Sequence, residues 1–427
     1  MVIRLHKKRI WMVLLFVYLW LQSAVTHNLQ GVLRTVSNYA AEGIVAVLLI
    51  MTIYVAITRR IRLLPVELVL LIGYAVFVVF GVISSIVYWM QSWTIAVMDL
   101  FVCSRFVLMY FITRILVTEE TDRDQLLLDL AGVCRFFAVV TALLALHDLV
   151  MSPFFRQFEF RYFMRSMALF FPHPTYMAHA CLTGAAVLMA ANGKETRKPI
   201  YRRNMFCILL LALLMCVTLR VKAIAGAACI LIFYFILIRW KVRSNGLLIG
   251  AGGGLALFIG IDQFNFYFKN TNAEDIVRAK LHVDAIDLAG RYFPFGTGFG
   301  TFGSSAAATH YSPLYYELGY TSINGGTGRF LSDSFWPTVI AQTGWIGTIG
   351  FLGVIVCFLI LIFRAKKTHN YMFWSMLSLM AYLVITSVAE SAFFNPTAGA
   401  MFALLGLLIG IVEQDRYAIT DTTVDRY

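Results

Sequence analysis

Two cations, Arg220 and Lys222, stand between long apolar runs in VTLRVKAIAGAA (217–228), at a turn almost too short to be a loop. Such side chains can snorkel, laying their stems along apolar surface and holding their charges in water. They can equally form a cationic site for an anionic headgroup. Arg105 and Arg135 fall near the middle of two other apolar runs, where a charge is costly and by default marks a functional site. Asp99 and Asp129 lie on the same two runs and could partner them, in a structural ion pair or in a substrate role. GTGFG (296–300) invites comparison with a nucleotide-binding loop. That loop needs a preceding strand, a following helix and a cytosolic location, and here all three are missing. Gly296, Gly298 and Gly300 instead suit a tight turn or a close approach of backbone to ligand. His147, His179 and His282 have no metal-ligand spacing with any acid or cysteine, and the 7 cysteines form no CxxC pair.

These residues have to be positioned by a chain of 427 residues that is 60% hydrophobic and only 14% charged. Soluble domains carry about 25% charged residues, so this composition excludes a water-facing globule, a disordered chain and a small disulfide scaffold. A bilayer-spanning helix needs about 20 apolar residues. Twelve stretches qualify: 10–26, 40–58, 66–88, 94–117, 126–149, 172–191, 205–219, 222–238, 246–262, 336–363, 371–388 and 398–413. The expected fold is an all-α polytopic integral membrane protein in a single membrane domain. The first run lacks a small-residue cleavage site and reads as a span rather than a cleaved signal.

The net charge of +12 would suggest nucleic acid in a soluble chain, but here it sorts by membrane side. Arg4, Lys7, Lys8 and Arg9 hold the N-terminus in the cytoplasm. Alternation then places RRIR (59–62), KETRKPIYRR (194–203), RWKVR (239–243) and RAKK (364–367) inside, with both termini cytoplasmic. Of the 35 Lys and Arg, 21 fall inside, 11 outside and 3 within spans. The positive charge is therefore read as orientation, with no nucleic-acid partner.

The long connection, 263–335, lies outside between the ninth and tenth spans, and loops of that length are usually functional. Within it, AEDIVRAKLHVDAIDLAGRY (273–292) reads as an amphipathic helix with Ile276, Val283 and Ile286 on one side. The tyrosine-rich remainder suits packing on sugar rings, or an interfacial aromatic belt. A second external segment, about 150–171, mixes aromatic and basic residues, Arg165 among them, as an interfacial segment does.

On this outer face the chain resembles the O-antigen polymerase and O-antigen ligase family of bacterial envelope glycosyltransferases, in particular the Wzy-type capsular and exopolysaccharide polymerases. TLRVKAIAG (218–226) is similar to the family's basic helix start. Arg278 precedes FPFGTGFGTFG as a family arginine precedes a glycine-rich turn. DSFWPTVIAQTGWIG (333–347) parallels the signature that runs from His-Asn to Gly-x-x-Gly, and FPHPTYMAH (171–179) resembles a proline-containing helix start. Counting back from Gly344 and Gly347 puts Asp333 where the ligases carry histidine, a replacement similar to that in some capsule polymerases.

The resemblance implies polymerisation of polyprenyl-diphosphate-linked oligosaccharide repeat units at the outer face of the bacterial cytoplasmic membrane. It implies no cofactor or metal, the lipid bilayer as partner, and chain-length regulator and flippase proteins alongside. Catalysis would fall to Asp333 as base, with Arg278 and Arg220 facing the leaving diphosphate. Lys222, His173, Arg165, Gly296, Gly298, Gly300 and Trp336 would contact substrate. The alternatives are a glycan ligase of the same family and a flippase or other twelve-helix transporter. Two-halved transporters usually place their long connection in the cytoplasm between the sixth and seventh helices, unlike this chain.

Overall fold

The computed structural model describes residues 2–59, 63–117, 122–151, 154–155, 159–161, 164–239 and 273–424. The span expected over 246–262, the start of the long loop and most of the basic clusters at 59–62 and 239–243 lie outside these residues. Five helices come first: α1 (Val2–Asn28), α2 (Gly31–Arg59), α3 (Pro65–Tyr88), α4 (Trp93–Leu116) and α5 (Arg123–Val150). A two-residue antiparallel hairpin follows, β1 (Phe160–Arg161) with β2 (Met164–Arg165). Next are α6 (Pro174–Ala191), α7 (Lys198–Val217) and α8 (Val221–Leu231), which continues as a wider π-helical stretch over Ile232–Arg239. After α9 (Ala273–Arg291) come the short α10 (Ser305–Thr309), α11 (Pro313–Glu317) and α12 (Thr321–Asn324). The chain closes with α13 (Phe335–Arg364), α14 (Asn370–Thr386) and α15 (Pro396–Val424).

Eight of the described helices (α1–α5, α7, α13 and α15) contain stretches long and apolar enough to cross a membrane. The protein is a multi-pass, all-helical membrane protein. The starts follow local chemistry: proline, which needs no hydrogen-bond acceptor for its nitrogen, opens α3, α6 and α15. Asp122 caps α5 by accepting from Gln125 N at 3.0 Å. α6 lies in the interior of the bundle. Every residue of it but Tyr176 is buried, among α5, α7, α8, α14 and α15.

Small residues set the closest helix contacts, as expected where apolar burial cannot drive association within lipid. A Cβ on Gly73 of α3 would come 2.9 Å from the Gly350 carbonyl of α13, and one on Gly350 would come 2.7 Å from the Gly73 carbonyl. α13 kinks at Gly344 (φ 64°, ψ −171°), which the apolar run did not announce. The glycine run of the long loop fills that kink. Thr297 N donates to the Ala341 carbonyl at 2.8 Å and Gly298 N to that of Gln342 at 2.9 Å.

The charges inside the bundle find partners other than those anticipated. Arg105 lies 3.8 Å from Glu42, and Arg135 donates to Asn204 Oδ1 at 2.8 Å. Asp99 accepts from Gly300 N at 2.7 Å and Gln342 Nε2 at 2.9 Å, while Asp129 pairs with Arg9 at 2.7 Å. Glu67, fully buried, takes Arg114 at 3.1 Å and the Tyr110 hydroxyl at 2.7 Å.

The bundle has two chemically different ends. One gathers the connections near residues 63, 122, 194 and 367, tied by Lys194 to Asp124 (2.9 Å) and Asp415 (2.7 Å) and by Arg364 to Glu413 (3.0 Å). The other carries the hairpin, the α7–α8 turn, the described part of the long loop and the α14–α15 connection. There α9–α12 form a second small core from Val277, Leu281, Ala285, Leu288, Phe302, Leu314, Tyr315 and Tyr320. The buried face of α9 is thus not the one expected: Ile276, Val283 and Ile286 are exposed. Tyr315 and Tyr320 are wholly buried, which removes them from any sugar-stacking role, whereas Tyr316 is exposed.

Candidate functional site

The loop-rich end holds two groups of polar side chains drawn from five segments. α9 packs on α13 through its buried stripe, and that packing brings Arg278, the neighbour of Val277, to the chain just ahead of α13. Arg278 Nη2 donates to Asp333 Oδ2 at 2.9 Å. The arginine side chain is 13% exposed and the aspartate 38%, so the carboxylate remains open to a hydroxyl from solution. Asp333 does not cap α13. That position falls at Ser334, whose side chain makes no cap hydrogen bond.

The second group centres on Glu390, in the connection between α14 and α15. Lys222, one residue into α8, forms an ion pair with Glu390 Oε1. Thr175 Oγ1 donates to the same oxygen at 3.1 Å. Arg220 Nη2 lies 3.1 Å from His173 Nε2, and His173 Nδ1 lies 3.1 Å from Thr175 Oγ1. A guanidinium can only donate, so Nε2 must be the acceptor and the proton sits on Nδ1. That tautomer donates to Thr175 Oγ1, which passes its own proton toward Glu390. The relay Arg220–His173–Thr175–Glu390–Lys222 is then satisfied in one direction. The 3.3 Å approach of Thr175 N to Nδ1 is the contact that gives way.

Tyr176 links the two groups. The Asn395 side chain and Asp333 both lie within electrostatic range of its hydroxyl. Asn395 Oδ1 accepts from Thr397 Oγ1 at 2.8 Å, and Thr397 Oγ1 lies 2.7 Å from His179 Nδ1. His179 Nε2 is in turn 3.9 Å from Glu390. Trp336 Nε1 donates to Ser387 Oγ at 3.2 Å, fastening the start of α13 to the end of α14.

Of the residues singled out in the sequence, the structure brings together Asp333 with Arg278, and Arg220 with Lys222 and His173. Arg165 is exposed on β2, beside Ser166, whose hydroxyl donates to the Thr218 carbonyl at 2.6 Å and holds the hairpin against the α7–α8 turn. Gly296, Gly298 and Gly300 lie deeper, with φ of 83°, 94° and 72°, against α3, α4 and α13. The Gly298 and Gly300 amides bond Gln342 and Asp99, and the Gly296 carbonyl accepts from Ser84 Oγ. The three thus face the bundle. Glu390, Thr175, Tyr176 and Asn395 escaped the sequence reading. The available signals were the FPHPTYMAH segment (171–179), which contains Thr175 and Tyr176, and an acid, Glu390, in a short, otherwise uncharged connection.

Chemically, three cations and two carboxylates share one water-accessible end of the bundle. Cations there can bind phosphate oxygens through charge-assisted hydrogen bonds, and an exposed carboxylate can take a proton. Among the described residues no group of three or more His, Cys, Asp or Glu could hold a metal ion. No protein-family model matches the chain, and no curated protein matches it.

Proposed function

We propose that the protein is a membrane glycosyltransferase that polymerises polyprenyl-diphosphate-linked oligosaccharide repeat units on the outer face of the bacterial cytoplasmic membrane. The product would be a capsular, exopolysaccharide or O-antigen polymer. The observation that carries the reading is that the Arg278–Asp333, Arg220–His173 and Lys222–Glu390 contacts all lie at one end of a membrane bundle. In this reading the chain crosses the membrane twelve times, both termini are cytoplasmic, and the loop-rich end is outside.

Outside the membrane no nucleotide sugar is at hand, so the bond energy must arrive with the donor. A sugar on a lipid diphosphate meets that requirement. The acceptor hydroxyl attacks the anomeric carbon and the carbon–oxygen bond to the diphosphate breaks. The diphosphate departs with the electron pair, and the hydroxyl proton passes to the Asp333 carboxylate. General base catalysis of this kind contributes about 10²–10⁴-fold. The leaving group gains negative charge, which Arg220 and Arg278 offset by hydrogen bonds to charged groups worth about 1.5–3 kcal/mol each. Arg278 thereby exchanges part of its contact with Asp333 for phosphate, freeing the base as the anion arrives.

The test is the pool of lipid-linked glycans in a strain lacking the protein. Accumulated single repeat units are the expected result. Accumulated full-length lipid-linked polymer would mean that the protein ligates finished chains, and an unchanged pool would remove the glycan reading altogether.

A further inference from the structure

Far from that site, a groove of about 560 Å³ opens on the outside of the bundle between α5 and α7, lined by Arg135, Phe136, Val139, Arg202, Arg203 and Phe206, with Cys207 beside them. Both helices run away from the basic end. On α5 an arginine is followed by apolar residues one and four positions on. On α7 two arginines are followed by a phenylalanine three and four positions on. One helical turn rises 5.4 Å, so Val139 lies about a turn beyond Arg135, which with Phe136 stands near the middle of α5, and Phe206 lies about a turn beyond Arg202 and Arg203 at the start of α7. Phe136, Val139 and Phe206 are exposed at 72%, 43% and 58%, on the surface that meets lipid.

Arg135 is fixed within the groove by Asn204, which in turn donates to Asn192 Oδ1 at 2.8 Å. Arg202 and Arg203 are exposed and pair with no carboxylate among the described residues. The nearby acid, Glu195, is held by Arg197 at 3.0 Å; it lies within electrostatic range of Arg135 but does not line the groove. Orientation of the chain by positive charge accounts for arginines in a loop. It does not account for three of them converging from two helices on one groove with an apolar floor above.

We infer that this groove binds an anionic glycerophospholipid of the adjoining leaflet, its phosphate on Arg135, Arg202 and Arg203 and an acyl chain along Phe136, Val139 and Phe206. Basic pockets between membrane helices suit such headgroups, and planar guanidinium groups match phosphate in two-pronged contacts. The inference is independent of the glycan chemistry at the opposite end.

The test is native mass spectrometry of the full-length protein, delipidated in detergent, titrated with cardiolipin and separately with phosphatidylcholine. Wild type should retain cardiolipin in preference to phosphatidylcholine. Arg202→Ala/Arg203→Ala, both at exposed positions, should bind cardiolipin about 10-fold more weakly or worse. Phe136→Ser/Phe206→Ser should weaken it as well, because a headgroup alone does not use those rings. Lys366→Ala/Lys367→Ala, at the same end but outside the groove, should bind as wild type does. Equal retention of the two lipids, undiminished binding by the arginine pair, or an equal loss in the lysine control would each overturn the inference. So would competition by inorganic pyrophosphate alone that persists in the phenylalanine variant.

Discussion

At the scale of single residues, substitutions separate the polar contacts that serve chemistry from those that serve folding. Asp333→Asn keeps the shape and the bond to Arg278 but removes the base. Polymer formation should fall about 10²–10⁴-fold with insertion and folding intact, and near-normal turnover would leave Asp333 as a partner of Arg278 only. Arg278→Lys should restore only part of what Arg278→Ala loses, because a point charge cannot reproduce a two-pronged phosphate contact. Lys222 and Glu390 call for a different design. Removing one member of this part-buried pair leaves the other charge without its partner, whereas replacing both by apolar residues is often neutral. Lys222→Met and Glu390→Leu singly should therefore lower thermal stability and together should largely restore it. If the pair serves the reaction, the stable double variant stays inactive; if it recovers activity, the pair is structural. The cations and Asp333 were legible in the sequence because a charge stands out against apolar runs. Glu390 was not, since nothing local ties position 390 to position 222, and only the folded bundle joins them.

At the scale of elements, the apolar runs located helices, because twenty lipid-compatible residues leave few choices. Eight described helices carry stretches long and apolar enough to cross a membrane, while the runs expected at 172–191, 222–238 and 371–388 fall on α6, α8 and α14, outside that set. α13 covers Phe335–Arg364 against an expected 336–363. The kink at Gly344 and the face of α9 were not legible. Ile276, Val283 and Ile286 make one apolar stripe and Val277, Leu281, Ala285 and Leu288 another, and only the partner helix decides which is buried. The Gly296–Gly344 approach gives a stability prediction. A Cβ on Gly344 would come 2.7 Å from the Pro294 carbonyl and 2.9 Å from Gly296 N, at a positive φ. Gly344→Ala should lower stability by about 1–3 kcal/mol or more, read as the unfolding midpoint in detergent; an unchanged midpoint would mean that the loop does not seat in the kink. His282 adds a pH dependence at this element. Its Nδ1 bonds the Arg278 carbonyl at 2.9 Å, and burial lowers its pKa below the ordinary histidine value. The neutral form is thus favoured on folding. Its contribution is intact above the unfolded pKa of about 6.5 and is lost as the pH falls from there through the lowered folded value. Hydrogen exchange of 277–291 should quicken on acidification, and less so in His282→Gln. Exchange with the same pH response in both would assign the effect elsewhere.

At the scale of the whole molecule, fold class followed from composition, since a chain with 14% charged residues has no way to cover itself against water. Which end faces outward rests on the distribution of lysine and arginine. With the 7 cysteines replaced, a single cysteine at Thr309 should react with an impermeant thiol reagent in intact cells, and one at Lys198 should not. Reversed labelling would turn the bundle over and move the candidate site to the wrong compartment for a lipid-linked glycan. Purified protein should be incubated with polyprenyl-diphosphate-linked repeat unit and no other sugar donor, and the products resolved by length. The account predicts a ladder of lipid-linked oligomers with release of polyprenyl diphosphate from wild type, and none from folded Asp333→Asn on the same timescale. Folded wild type that leaves the repeat unit unchanged, or a ladder equally strong from Asp333→Asn, would contradict it.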